Sequence, residues 1–525
     1  MSRRCLLSLL LAADLYGKGA ADTTATINSA TNWGTWEGWG TSLAWWAAAF
    51  GDRDDLADLF FSTKAVNFGG KTVPGLGFNI ARYNAGACSK NSVSGESMVV
   101  SPKMIASRQI DGFWTDWTSA DPASASWDWN VDANQRSMLT KARDRGADVF
   151  ELFSNSPMWW MCSNHNPSGS DNGGSDNLQT WNYQQFAVYM AEIAKHANDN
   201  WNIKFQSVEP FNEPMASWWS GKSGTQEGCH FGTSTQATLV KNLRTELDNR
   251  GLSSAVIAAS DENSYDQAIT TWNALAGAGV AGSIARVNVH GYQYGGGKRD
   301  VLYSTVHGAG KKLWNSEYGK ADDTGSDLAS NLILDFRWLH PTAWVYWQVI
   351  DGGGWGLVDG NNDAKTLGAV SQKYYVLAQY SRHIKPGMQI LDGGNDSTVV
   401  AYDAGAKKLV VVAVNWGNAQ KLIFDLSKFK TPGTEGSPVP RWSTQIGTGD
   451  QYVTQSDATL KGGKFQASFA KNQVQTFEVS GVCPGIKWLM PAFRVRSPPE
   501  PVPSHVNNEG DAHEHDNSTK GHPNC

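Results

Sequence analysis

Charge is sparse in this chain: 44 Lys and Arg stand against 50 Asp and Glu in 525 residues, for a formal net charge of −6. The basic residues form no dense stripe, which argues against electrostatic capture of nucleic acid or an acidic membrane. Long apolar runs are missing as well. No stretch beyond the N-terminus approaches the ~20 apolar residues that a membrane helix needs. Cysteine is scarce, with Cys88, Cys162, Cys229, Cys483 and Cys525 following Cys5 at the N-terminus. Their spacing fits no metal-site pattern, so neither metal nor other cofactor is expected, and in an oxidising compartment it leaves room for at least one disulfide of open pairing.

What is present in excess is tryptophan, 24 residues interspersed with Asn, Gly and Ser. Flat apolar rings beside many hydrogen-bonding groups suit a neutral sugar, which has an apolar face and a hydroxyl edge, although any single indole can equally serve the core. The N-terminus reads Met1-Ser2-Arg3-Arg4, a short apolar run from Cys5 to Ala13, then Gly19-Ala20-Ala21. Residues 1–21 are therefore expected to be a secretory signal, interrupted late by Asp14 and Lys18, and the mature protein to be an extracellular monomer. Asn395-Asp396-Ser397 and Asn517-Ser518-Thr519 are N-glycosylation acceptor motifs.

Between residues 35 and 386 short apolar or β-branched stretches alternate with amphipathic helical ones, the pattern of a parallel (β/α)8 barrel. Strands are expected at 36–44, 77–84, 148–154, 205–211, 255–260, 286–290, 312–316 and 343–348. Helices are expected at 183–197, at 235–250 behind a cap at Ser234, and at about 371–383. After Pro386-Gly387 the pattern changes to alternating strands with turns, at 398–402, 408–415, 421–426 and 474–479. Residues 387–481 read as a small antiparallel β-sandwich, which residues 22–34 join as a strand. The Pro-, His- and Asn-rich stretch 482–525 reads as a disordered tail, in which His513, His515 and His522 lack a frame that would fix them on a metal.

Active sites of parallel barrels gather at the C-terminal ends of the strands. Two glutamates have that position: Glu213 in Phe211-Asn212-Glu213-Pro214 after the fourth strand, and Glu317 in Trp314-Asn315-Ser316-Glu317-Tyr318-Gly319 after the seventh. A retaining glycosidase needs two such carboxyls, one to attack the anomeric carbon and one to protonate the leaving oxygen. Glu317 must then be ionised and Glu213 protonated. Arg82 on the second strand is expected to stabilise the Glu317 anion, which in turn raises the pKa of Glu213. Tyr292 and His290, after the sixth strand, are candidate partners of Glu317 and the pocket wall. Asn212 is expected to hold the sugar 2-hydroxyl and Trp347, ending the eighth strand, to form the floor. Trp45, Trp46, Asn155 and Trp355 are candidates for selecting the sugar.

Several longer motifs accompany these residues: Trp33-Gly34-Thr35-Trp36-Glu37-Gly38-Trp39-Gly40, Phe153-Ser154-Asn155-Ser156-Pro157-Met158-Trp159-Trp160-Met161-Cys162, Val289-His290-Gly291-Tyr292 and Trp344-Val345-Tyr346-Trp347. Over residues 22–481 the chain resembles the fungal endo-β-1,6-galactanases of glycoside hydrolase family 30. The resemblance implies Glu213 as acid/base, Glu317 as nucleophile, a barrel with an attached β-sandwich, no metal, and hydrolysis of β-1,6-galactan side chains of arabinogalactans. The stretch after Gly481 is longer than that family needs. The catalytic pair alone does not select galactose, so β-1,6-glucan or a β-glucoside is the alternative substrate. A sugar-binding protein without catalysis is the alternative class.

Overall fold

The computed structural model describes residues 22–485, so the expected signal and the stretch past residue 485 lie outside the described residues. Eight parallel strands close into a barrel in chain order: Gly38–Ser42, Ile80–Asn84, Val149–Phe153, Ser207–Glu209, Val256–Glu262, Ile284–His290, Lys312–Tyr318 and Ala343–Tyr346. All eight expected strands are there. Strands buried on both faces lose the polar–apolar alternation and become short apolar runs, which is why segments such as Ala343–Tyr346 can be located without a period. Where the eighth strand meets the first, Gly38 pairs with Ala343 and Gly40 with Val345. Gly40 has to be glycine, because a Cβ there would lie 2.4 Å from the Ile80 carbonyl oxygen of the second strand.

The fifth and seventh strands run further than expected, to Glu262 and Tyr318, so Glu317 lies within a strand rather than after one. Helix Tyr183–Asn200 turns Phe186, Tyr189, Met190, Ile193 and Ala194 inward on a 3.6-residue period, packing beside helix Thr233–Asn249. The expected cap at Ser234 is not made. The helix starts two residues earlier, at Thr233 behind Gly232, which has no side chain to accept a bond.

Beyond the barrel lie a seven-stranded sheet, Asn28–Thr35, Gln389–Asp392, Thr398–Asp403, Lys408–Asn415, Gln473–Ser480, Pro438–Gln445 and Val453–Thr459 in spatial order, and a three-stranded sheet of Thr23–Thr26, Gln420–Asp425 and Lys464–Phe469. One pairing departs from the antiparallel expectation. Thr23–Thr26 lies parallel to Gln420–Asp425, while Asn28–Thr35, which also precedes the barrel, pairs antiparallel with Gln389–Asp392. Val482–Pro484, expected in the tail, is a short strand paired with Phe429–Pro432.

Strand Lys408–Asn415 shows how the two parts are joined. Leu409, Val411 and Ala413 point into the core between the two sheets. Val410, Val412 and Val414, on the other face, join the core that includes the barrel. At about 1.5–3 kcal/mol for each fully buried aliphatic side chain, the second face ties the seven-stranded sheet firmly to the barrel's flank. Gln379, on the last helix Gln372–Ser381, adds polar register by donating to Thr444 at 2.8 Å and accepting from Thr476 at 2.6 Å. Cys88, Cys162 and Cys229 are buried free thiols, so the expected disulfide involves none of them. Among the described residues no helix is long and apolar enough to cross a membrane.

Candidate active site

Two β-bulges aim the key side chains. In a regular strand Asn315 and Glu317 would face the same side. Asn315 points outward, donating to Asp335 at 2.6 Å, and Ser316 points into the barrel toward Asp261 and the Val289 carbonyl. Against the sixth strand the register then skips, pairing Asn315 with Val289 but Glu317 with His290, and the irregularity turns Glu317 into the cleft instead of back to the helices. The fifth strand does the same between Ser260 and Glu262, leaving Asp261 in the left-handed region at φ +54 with its carboxylate inside the barrel.

Glu213 sits four residues past the short fourth strand, also left-handed at φ +47. For a non-glycine residue this conformation costs roughly 1–2 kcal/mol, so the surroundings must impose it. They do so with a clamp on the backbone: the Glu213 N–H donates to the Asp261 carbonyl at 2.8 Å, and the Trp219 indole donates to the Glu213 carbonyl at 2.9 Å. Its carboxylate accepts from Asn263 Nδ2 at 2.8 Å and lies 3.1 Å from His290 Nδ1.

One atom each from Glu213, His290 and Glu317 lies within 4.8 Å of the others. Carboxyls with oxygens this close fit the roughly 5–5.5 Å separation of retaining glycosidases better than the ~6.5–9.5 Å of inverting ones. The same three groups have the composition of a metal site. His290, however, already holds Glu213 through Nδ1, and its Nε2, without a hydrogen bond, faces Asp261 in an ion-pair contact at 3.5 Å.

Beneath the pair lies a buried charge network. Arg82 pairs with Glu151 at 2.8 Å and with Asp261, and donates to the Ser316 carbonyl at 3.0 Å; Glu317 is a longer contact at 3.5 Å. Arg286 pairs with the other Glu151 oxygen. Burial works against the Arg82 cation, but Asp261, Glu151 and Glu317 outweigh it and hold its pKa above the usual value. Burial also opposes a charged His290, yet Glu317, Asp261 and Glu213 carry its pKa up to about 10, so the ring is a cation. For Glu317 the balance differs from the expected one. Burial drives its pKa up to about 7, against the pull of His290 and Arg82 and with Glu213 adding to the rise. Arg82 is thus first a partner of Glu151 and Asp261, and only then of Glu317.

Tyr292 donates to Glu317 Oε1 at 2.8 Å, as expected. Its own pKa is held well above the usual value by burial and by the Glu317 and Glu213 charges, so the hydroxyl keeps the proton it donates. Asn212 lines the cleft, and its Oδ1 is buried with no partner within the chain, an acceptor that a substrate hydroxyl could satisfy only by reaching beneath the cleft surface. Trp347, Trp45 and Trp355 all border the cleft, of about 880 Å³, with Trp45 edge-on to Trp347 at 5.0 Å. Gly319 permits this arrangement, because a Cβ there would come 3.1 Å from Trp355 and 3.4 Å from Trp347.

Three expected residues are elsewhere. His290, expected on the pocket wall, is fully buried behind the two glutamates and does not line the cleft. Asn155 is fully buried and does not line the cleft; only its backbone N–H reaches Asn84, at 3.4 Å. Trp46 is also fully buried, turned away to donate to the Ser42 carbonyl and pack on Phe60. Residues not anticipated include Asp261, Asn263, Glu151, and the Trp218-Trp219 pair on the cleft wall. Asp261-Glu262-Asn263 had a usable signal: polar residues at the end of the fifth strand, where the argument applied to Glu213 and Glu317 holds equally. The reach of Trp218 and Trp219 depends on the fold of a long loop and carries no local signal.

The model of O-glycosyl hydrolase family 30 matches residues 19–281. An endo-β-1,6-galactanase of Hypocrea rufa is 62% identical over 480 residues, covering 91% of this chain and 99% of that protein. The chain belongs to glycoside hydrolase family 30. Solved structures with the same fold include a conserved exported protein from Bacteroides fragilis, TM-score 0.71 at 18% identity, covering 87% of this chain and all of that one. The catalytic domain of a family 30 xylanase C from Talaromyces cellulolyticus gives TM-score 0.64 at 21% identity, with the same coverage of both chains. At such identities these two structures speak for the family's barrel and sheets, and not for a substrate.

Proposed function

We propose that the chain is a secreted retaining endo-β-1,6-galactanase, with Glu317 as nucleophile and Glu213 as acid/base. The observation that carries this mechanism is the spacing of the two carboxyls, with atoms of both within 4.8 Å of each other and of the His290 ring. Glu317 attacks the anomeric carbon while Glu213 protonates the departing glycosidic oxygen. Glu213 then takes a proton from water, which attacks the glycosyl-enzyme from the face the leaving group vacated and restores the original anomeric configuration. Tyr292 and the His290 cation favour the carboxylate form of Glu317, and Asn212 accepts from a sugar hydroxyl. Trp347, Trp355 and Trp45 supply the apolar wall against which a ring face stacks.

The choice of β-1,6-galactan is supported by the Hypocrea rufa relative, whose name gives that activity and whose sequence matches over nearly the whole chain. Product analysis tests it. On de-arabinosylated arabinogalactan, run beside β-1,6-glucan and xylan, the chain is expected to release β-1,6-galactobiose and longer oligomers from the first alone, with retained anomeric configuration in the first product formed. Cleavage of another glycan instead removes the galactan assignment and keeps the two-glutamate mechanism. No cleavage of any removes both.

A further inference from the structure

A second cavity, of about 510 Å³, lies where the barrel meets the seven-stranded sheet. It borders the entry of the eighth barrel strand at His340, whereas Trp347 in the catalytic cleft follows the exit of that strand. The four-residue strand Ala343–Tyr346 runs between them, about 13 Å of chain, and the two cavities share no lining residue, so this one opens at the other end of the barrel from the cleft.

Its lining has the chemistry of sugar recognition. Trp338 is 44% exposed at the rim, and Trp33 stacks on His340 at 3.7 Å with Tyr303 edge-on at 6.1 Å. Trp33 is therefore held rigid, and a rigid aromatic face binds at little entropic cost. Carboxylates are supplied by Asp300, Asp392 and Asp396, and of these Asp396 is paired with Arg337. An excess of carboxylates disfavours an acidic polymer and offers acceptors to neutral hydroxyls. Thr398, only 8% exposed, borders the cavity with its Oγ1 unpartnered. A buried hydroxyl left without a partner costs about 1–3 kcal/mol, which a ligand hydroxyl would recover once the lining shifts enough to reach it.

The turn carrying Asn395, Asp396 and Thr398 also borders a smaller cavity of about 350 Å³ on its other side, beside Trp416. Asn395 begins the acceptor motif Asn395-Asp396-Ser397, so the lining itself includes a possible point of sugar attachment.

We infer that this junction is a second, noncatalytic binding site for neutral hexopyranose rings, with Trp338 and Trp33 as stacking platforms and Thr398 as a hydroxyl partner. Two sources present that chemistry: a distant stretch of the polysaccharide substrate, or a glycan carried on Asn395. The first choice of probe rests on the galactan reading of the cleft. A site on the far end of the barrel would hold long chains near the enzyme and raise their local concentration without touching the reaction.

The test uses the full chain carrying Glu317→Gln, made unglycosylated with 5-fluorotryptophan and titrated with β-1,6-galactohexaose. The expected result is that the Trp338 and Trp33 signals shift with their own saturation curve, separate from Trp347 and Trp355. Trp338→Ala should abolish the junction response, leave the cleft response intact, and lower kcat/KM of the otherwise native enzyme several-fold on long galactan but not on a trisaccharide. In the second arm the chain is secreted from a eukaryotic host. The glycan on Asn395 is expected to resist endoglycosidase under native conditions and to be released from Trp338→Ala. A hexaose that moves the cleft signals but neither Trp338 nor Trp33, together with equal glycan release from both proteins, overturns the inference. A hexaose that moves no signal at all refutes the galactan reading; the same titration with the hexaose of whichever glycan the native enzyme cleaves then decides the junction by the same criteria.

Discussion

The hydrogen bond from Tyr292 to Glu317 makes a quantitative demand on the pH profile. Tyr292→Phe removes one hydroxyl and nothing else, from a half-buried residue whose ring also meets His290 edge-on at 5.8 Å. The lost bond is 2.8 Å long and ends on the carboxylate that must be ionised to attack. A hydrogen bond to a charged group contributes about 1.5–3 kcal/mol. One pKa unit corresponds to ~1.36 kcal/mol, so the Glu317 pKa should rise by about 1–2 units. The lower end applies here, because the cleft is open and water can take the hydroxyl's place. As for the sign, the hydroxyl stabilises the anion, its removal favours the protonated acid, and activity that needs the anion is lost from the acid side. The parent carboxyl is already up near about 7 through burial. The acid limb of kcat/KM on β-1,6-galacto-oligosaccharides should therefore move to higher pH by about 1 unit, given a 1.4 kcal/mol loss. Thermal melting should stay within about 2 °C of the parent, because the ring remains. An acid limb that does not move, in a protein that melts normally, would refute Tyr292 as the residue that sets the charge of Glu317.

Other consequences can be measured alongside. Glu213→Gln should slow natural substrates by about 10²–10⁴-fold while sparing the first step on aryl galactosides with good leaving groups, which need no acid; equal losses on both would reassign the role. Glu317→Gln should remove turnover while circular dichroism and melting stay near the parent, and azide should restore reaction with inverted product in Glu317→Gly. Arg82→Met should destabilise by roughly 3–5 kcal/mol in urea unfolding, because it leaves Glu151 and Asp261 buried without their cation. Val412→Ala, on the sheet face that meets the barrel, should lower stability by about 1–3 kcal/mol and leave a single unfolding transition.

The barrel was legible because each of its strands is a short, dense apolar run between helical periods, a property of local sequence. The two glutamates were legible for a related reason: in this fold, position at a strand's C-terminal end already implies position in the cleft. Registers were not. Asn315, Ser316 and Glu317 are consecutive, yet they point to the helix layer, the barrel interior and the cleft. That outcome depends on a skip against the sixth strand, whose sequence lies some distance away. Asn155 and Trp46 were misread for the complementary reason. Asn155 sits in a loop rich in polar residues and Trp46 beside Trp45, but tertiary packing buries the first and turns the second to Ser42.

The buried network also explains why the reacting carboxyls rest on so many charges that never touch substrate. Glu213 and Glu317 are close enough to repel whenever both are ionised, and both are largely buried at the cleft floor. His290, a cation between them, offsets that repulsion only while it is itself charged, and burial opposes the charge. Asp261 favours the charged ring from beneath, and Arg82 holds Asp261 ionised below its usual range despite burial. Glu151 in turn balances Arg82 and Arg286. Each ion in this chain is acceptable in the barrel interior only because the next one compensates it. Loss of a deep member should therefore reach the cleft as a change in His290 charge, and Asp261→Asn should lower the His290 pKa and shift the pH profile without altering a single group that contacts the sugar. A histidine titration by NMR that leaves His290 unmoved in Asp261→Asn would break this chain of dependence at its central link.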